Sequence, residues 1–236
     1  ELILYPEVFS LFIPELKAMI GFEQNNPWHL YDVFTHTVHA IEHCDSTDLI
    51  VKLAVFFHDF GKPHSFQDGE NGIRHFRGHG KISAEMTDAI MKRLRFDNDT
   101  REKVVELIVF HDSTINLEDK NIKRWLNKIG EEQFRRLLKV KKADNAAQNS
   151  GNRIQELDEA ERLLEKILEE KECFSLKDLA ITGSDLINIG FVPGKELGNV
   201  LKQLLDTVID NKIANDKNEL LTLAKGWLGV VYNESM

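Results

Sequence analysis

The amino-acid sequence predicts an all-α protein, and three observations predict it. Apolar residues recur at helical spacing in six segments, only five prolines interrupt the 236 residues, and the stretches between them are rich in Leu, Ile, Glu and Lys. No segment reads as a strand.

The first of the six, 30–41, sets Leu30, Phe34, Val38 and Ile41 on one face, with His29, Asp32, His36, His39 and His43 nearly opposite. Segment 49–57 is almost continuously apolar and is expected to be buried over most of its circumference. Segments 82–94 and 104–109 follow, and in 134–140 the residues Phe134, Leu137 and Val140 define an inward face. Segment 154–168 is amphipathic and dense in Glu and Lys, a solvated scaffold helix or, alternatively, a partner-binding one. Gly61 with Pro63, the glycine-bearing stretch 68–80, Gly130 and Asn149-Ser150-Gly151 mark boundaries, and Asp99 with Glu102 and Ser175 with Asp178 read as capped helix starts. Past residue 172, Ile181-Thr-Gly-Ser184, Gly190-Phe-Val-Pro-Gly194 and Gly198 punctuate shorter helices that run to Trp227. The expected organisation is a larger helical domain over 1–172 and a smaller helical region over 173–236, without repeats or low-complexity tracts.

Composition narrows the function. Hydrophobic residues at 42% and charged ones at 29% place the chain among ordinary globular proteins. The formal charge of −9 argues against a broad basic surface for nucleic acid, so DNA is not an expected partner. Cys44 and Cys173 form no CxxC pair and read as reduced thiols. No apolar run approaches the roughly 20 residues that span a bilayer, and the start, Glu1-Leu-Ile-Leu-Tyr-Pro6, lacks a basic n-region, so a cytoplasmic protein with no membrane partner is expected.

The chemistry concentrates where segment 49–57 ends in His58-Asp59, followed by Phe60-Gly61-Lys62-Pro63. An imidazole and a carboxylate drawn inward on so apolar a helix need partners, and a metal ion serves both. The alternative, a helix C-cap, suits a His but not an Asp, whose charge the dipole disfavours there. On the preceding segment His36 lies nearest the apolar flank of Val33 and Ala40. Asp144 falls one heptad after Leu137, which turns a carboxylate inward, toward a cation or toward a salt bridge from Lys141 or Lys142. His79 opens a helix after the Gly-rich loop, and His111 ends the apolar helix Val104 to Phe110.

The order His36, His58-Asp59, Asp144, with Gly61-Lys62 after the doublet, resembles the H…HD…D signature of the HD superfamily of metal-dependent phosphohydrolases. That resemblance implies an HD-type helical fold with one divalent ion on His36, His58, Asp59 and Asp144, and a second ion on His79 and His111 bridged by Asp59. The ions would activate water for attack on phosphorus. Pro14-Glu-Leu16, Trp28-His-Leu-Tyr-Asp-Val33, Phe76-Arg-Gly-His79, Ile181-Thr-Gly-Ser-Asp-Leu186 and Pro193-Gly194 resemble the HD and tail region of bacterial tRNA nucleotidyltransferases. The nucleotidyltransferase head, with its Gly-Ser start and Asp-x-Asp carboxylates, does not precede Glu1, so CCA addition is not expected of this chain.

The resemblance implies phosphatase, nucleotidase or 2′,3′-cyclic phosphodiesterase activity on a small nucleotide or an RNA 3′-end phosphoester. Asp59 and Lys62 are the expected catalytic residues. Lys62 is placed to meet a substrate phosphate as a point charge, or else to face the helix dipole. Arg77, Arg74 and Asn145 are further candidates for substrate contact, whereas His29, His39, His43, His64 and His75 read as surface or packing residues. The 190–198 loop reads as a turn between helices rather than a phosphate cradle. Manganese, iron, nickel, cobalt, zinc and magnesium all suit such ligands. A nucleoside monophosphate or dNTP phosphohydrolase is one rival; an RNA-binding or scaffold module with a structural metal is the other.

Overall fold

Ten α-helices, two short 3-10 helices and one two-stranded ladder form the regular structure of residues 4–69, 72–148 and 153–233, the part that the computed structural model describes, with side chains as far as 228. The molecule is mostly helical, as the periodicity predicts. Among the described residues no helix is long and apolar enough to cross a membrane.

The described chain divides into two compact units, 1–114 with 131–161 and 115–130 with 162–236. Both are discontinuous in sequence, unlike the single cut after residue 172 that composition suggests. The expected boundary at Asn149-Ser150-Gly151 lies outside the described residues.

In the first unit, α1 (Pro6–Phe12) precedes α2 (Val33–Glu42) and α3 (Leu49–Phe57), and α4 (His79–Arg93) and α5 (Asn98–Phe110) pack on each other and on α3. The start of α2 is later than apolar spacing suggests. Asp32 accepts from the Thr35 N–H at 2.8 Å and caps the helix, and Leu30 is left outside it at 64% exposure. Asp48 caps α3 through the Ile50 N–H at 2.9 Å and pairs with Arg136 at 2.7 Å, tying α3 to the helix that carries Asp144. That helix, α6 (Asp119–Ala146), is broken at Gly130, whose φ of 78° and ψ of 164° are outside helical geometry. Residues 119–129 belong to the second unit and 131–146 to the first. Phe34, Val51, Phe57, Phe60, Leu107 and Leu137 are in the buried core of this unit.

Strands are the exception to the sequence reading. β1 (Gln67–Asp68) pairs antiparallel with β2 (Arg74–His75), Gln67 opposite His75. Two-residue strands leave no periodicity to read, and one side chain braces the backbone ladder. Arg74 donates to Asp68 and to the Glu23 carbonyl, both at 2.8 Å, and covers the rings of Phe22 and Phe66. Its guanidinium is thereby engaged within this loop.

The second unit gathers α7 (Arg153–Glu169) from residue 162 onward with α8 (Gly183–Asn188), α9 (Lys195–Ile209) and α10 (Lys217–Asn233). Its core includes Ile181, Leu186, Phe191, Leu204, Leu205, Ile209 and Leu220. Two cap assignments change. Asp97, not Asp99, caps α5, because it accepts from the Thr100 N–H at 2.9 Å. Asp178 does bond Ser175, but no helix follows, and the true capping box is Thr182 with Asp185 at the start of α8.

Candidate metal centre

Three helix ends, with His36 from α2 and Asp144 from α6, supply the site. His58 is the C-cap of α3, His111 the C-cap of α5, and His79 the first residue of α4 after Gly78, whose φ of 75° suits glycine. Close packing brings these ends together at Gly61. Its N–H donates to Ser83 Oγ at 2.8 Å, and a Cβ there would stand 2.5 Å from the His79 carbonyl oxygen and 2.6 Å from the Ser83 nitrogen. The glycine after the doublet is therefore what lets His58-Asp59 approach the start of α4.

Asp59, 1% exposed, lies at the centre and offers a different oxygen to each side. Its Oδ2 is 3.2 Å from His58 Nε2 and 3.5 Å from His36 Nε2; its Oδ1 is 3.4 Å from His79 Nε2 and 3.9 Å from His111 Nε2. Asp144 Oδ1 joins the first side, 3.0 Å from His36 Nε2 and 3.6 Å from His58 Nε2. Two compact ligand groups result, His36-His58-Asp59 and Asp59-His79-His111, all buried. Such spacings fit an ion, since ligands held at about 2.1 Å in tetrahedral or octahedral geometry stand about 3.0–3.4 Å apart.

Protons sharpen that fit. The Nδ1 atoms of His58, His79 and His111 sit 2.7, 2.8 and 2.6 Å from the carbonyl oxygens of Val55, Phe76 and Ile108. A carbonyl only accepts, so each Nδ1 carries its hydrogen and each ring turns its Nε2 inward, as a lone pair when the ring is neutral. The Nε2 atoms of His79 and His111 then face each other at 2.9 Å. Two lone pairs at that distance repel unless a cation or a proton lies between them. Backbone carbonyls that orient metal-ligating histidines in this way are a recurrent device. His36 differs, because its buried Nδ1 has no partner among the described residues; both Asp59 oxygens and His58 Nε2 also lack ordinary hydrogen bonds.

The charges follow the same geometry. Burial disfavours the imidazolium of His58, but the Asp59 and Asp144 carboxylates outweigh it and push His58 up to about 10. Burial likewise opposes ionisation of Asp59 and Asp144. The neighbouring His58 charge, joined by Lys62 at Asp59 and by hydrogen bonds from His36 and His58 at Asp144, holds both well below the usual carboxylate range. His111 is depressed to about 3 by burial and by the charges of His58 and His79.

The remaining predicted residues divide. Lys62 is buried with its ammonium 2.6 Å from Asp59 Oδ2 and 2.8 Å from Gln24 Oε1, so it is engaged with the doublet rather than open to solvent or facing a helix dipole. Asn145 is buried, donates to the Lys141 carbonyl at 2.7 Å, and keeps an Oδ1 that has no partner among the described residues. Arg77 is exposed on the turn before His79. Lys141 and Lys142 do not pair with Asp144: Lys141 donates to the His111 and Ser113 carbonyls at 2.5 and 2.8 Å, and Lys142 bonds Asp158 and Glu161. Gln148 instead reaches Asp144 Oδ1 at 2.8 Å. His39 bonds Glu42, and His43, His64 and His75 are exposed.

Sequence reasoning passed over His29. Its ring meets the His36 ring edge-on at 5.0 Å, its Nδ1 is buried without a partner among the described residues, and burial followed by the Lys62 charge depresses it to about 3. Gln24 has no sequence signal at all, since its role depends on a lysine 38 residues away.

Residues 64–224, more than half of the chain, match the family model described as tRNA nucleotidyltransferase domain 2. The chain belongs to this family. It is 28% identical over 210 residues to the A-adding tRNA nucleotidyltransferase of Deinococcus radiodurans, covering 84% of this chain and 47% of the relative. It is 27% identical over 229 residues to the CC-adding tRNA nucleotidyltransferase of Thermus thermophilus, covering 94% and 51%. A Multifunctional CCA protein of Psychromonas ingrahamii is 29% identical over 125 residues, 47% of this chain and 30% of that protein. The chain thus spans about half the length of the first two relatives. Family membership bears out the resemblance to tRNA nucleotidyltransferases that the motifs carry.

Proposed function

We propose that this chain holds one or two divalent metal ions on His36, His58, Asp59, His79, His111 and Asp144 and hydrolyses a phosphoester of a nucleotide or RNA 3′ end, as its HD-type signature implies. One observation carries the reading: three histidines with carbonyl-fixed Nδ1–H groups turn their Nε2 atoms onto a carboxylate that offers one oxygen to each of two ligand groups. Divalent ions supply charge neutralisation at phosphoryl oxygens and a more acidic water. The protein's own part is positional. Lys62, itself held by Gln24, positions the Asp59 carboxylate and keeps a further N–H for a phosphate oxygen. Asn145 Oδ1 is a free acceptor beside Asp144 for a substrate hydroxyl or a water, and Arg77 offers an exposed charge before His79. The relatives' names favour tRNA as the RNA concerned.

The test is a panel of 2′,3′-cyclic nucleotides, nucleoside 2′- and 3′-monophosphates and dNTPs, offered with manganese, cobalt, nickel, zinc or magnesium. Ion-dependent hydrolysis of the first two classes, lost in His58→Ala, is the expected result. Cleavage of dNTPs alone would move the assignment to a dNTP phosphohydrolase, and tight metal binding without turnover would leave a scaffold with a structural metal.

A further inference from the structure

The two ligand groups come from elements far apart in sequence, and one side chain outside both groups joins them. Lys141 lies on α6, one turn before Asp144, partly buried. Its ammonium donates to the His111 carbonyl at 2.5 Å and to the Ser113 carbonyl at 2.8 Å, beyond the C-terminal end of α5. Those carbonyls belong to the end of α5 that has no intrahelical donor, where a cation is favoured by both hydrogen bonding and the helix dipole.

We infer that Lys141 is a positioning residue for the second ion: it clamps the backbone of His111 to α6, the helix of Asp144, and so fixes where His111 stands in the Asp59-His79-His111 group. The clamp acts on the residue whose ring matters. His111 is the C-cap of α5, its Nδ1 is held by the Ile108 carbonyl, and its Nε2 is 2.9 Å from His79 Nε2. With backbone and Nδ1 both fixed, the ring has little freedom, and Nε2 stays turned toward Asp59 Oδ1, 3.9 Å away. Without Lys141, two carbonyls at the end of α5 lose their donor and His111 is free to drift. The first group touches neither carbonyl and keeps its geometry. The effect is therefore selective: loss of Lys141 weakens one ion and spares the other.

This inference rests on the two-ion reading proposed above, and the experiment separates the two. Metal-free protein, wild type and Lys141→Gln, Lys141→Met and Lys141→Arg, is titrated with manganese(II) by calorimetry, with the spin coupling of paired ions followed by electron paramagnetic resonance. Wild type should take two ions with a coupled signal. Lys141→Gln and Lys141→Met should bind the second ion roughly 10- to 100-fold more weakly, the usual consequence of removing an outer-sphere partner of a ligand. The coupled signal should fade while the first affinity holds. Lys141→Arg, which still donates to two carbonyls, should restore most of the second affinity. If Lys141→Met fails to fold, the milder Lys141→Gln decides. Equal weakening of both ions, or two ions at wild-type affinity in Lys141→Gln, would overturn the inference while leaving the two-ion site standing. A wild-type protein that takes a single uncoupled ion would overturn both.

Discussion

At the scale of single residues, the molecule turns on Asp59, which answers to four histidines and a lysine at once. Asp59→Asn should abolish metal retention and hydrolysis, and an unchanged metal content by elemental analysis would refute its place as the shared ligand. The variant should also be less stable without metal, because Lys62 is left buried beside a neutral amide, and breaking a buried pair from one side costs on the order of 3 kcal/mol. Adding Lys62→Met should recover part of that loss in a denaturant titration without bringing metal back. His36, His58, Asp59, His79, His111 and Asp144 were all legible as candidates, because polar groups at the ends and inward faces of apolar helices advertise a need for partners. His29, Gln24 and Lys141 were not. Their roles arise from contacts across 7 to 38 residues of chain that carry no spacing rule.

The elements owe their arrangement to helix ends rather than helix faces. Gly61 sits so near the start of α4 that Gly61→Ala must displace backbone, and overpacking of this kind costs about 1–3 kcal/mol. Thermal melting should register that loss together with weaker metal binding, since His58, Asp59 and His79 separate. A melting point equal to wild type would refute the close approach. Asp48 supports a pH prediction. Burial works against its charge, but the hydrogen bonds from Arg136 and the Ile50 N–H prevail and hold the carboxyl below its usual range. Its stabilisation is therefore complete above the unfolded value of about 4 and is lost as pH falls below it. Compared with Asp48→Asn, wild type should be more stable near neutrality by about 1 kcal/mol or less, given a side chain that is 31% exposed, and the two should converge on acidification. A gap that persists at pH 2 would exclude the charge as its origin. Periodicity located α3 and α7 well, and α2 apart from its start. It missed 119–129 because Lys and Arg crowd that stretch, and it placed two caps wrongly because several Asp and Ser residues compete near each helix start.

Over the whole molecule, the site and the tail belong to different cores. Trp28 lies in the first unit, Trp125 and Trp227 in the second. Removing metal should lower the melting transition reported by Trp28 in a Trp125→Phe/Trp227→Phe background, by the linkage of about 2.7 kcal/mol for an ion at a hundred times its dissociation constant. No shift on chelation would mean that the folded first unit does not hold the ion. The interleaving of the units was not legible, since nothing in the composition of 115–130 distinguishes it from its neighbours. That interleaving bears on inheritance. A recombination joint near residue 172 would deliver a tail stripped of 115–130 and 162–172, leaving Ile122, Leu126 and Ile167, each 2% exposed or less in the intact chain, on the wrong side of the joint. Such a tail cannot pass between genes as a cassette. It needs segment 115–130, which lies in the sequence between the two stretches of the first unit, so the two parts are expected to share one ancestry wherever either is found.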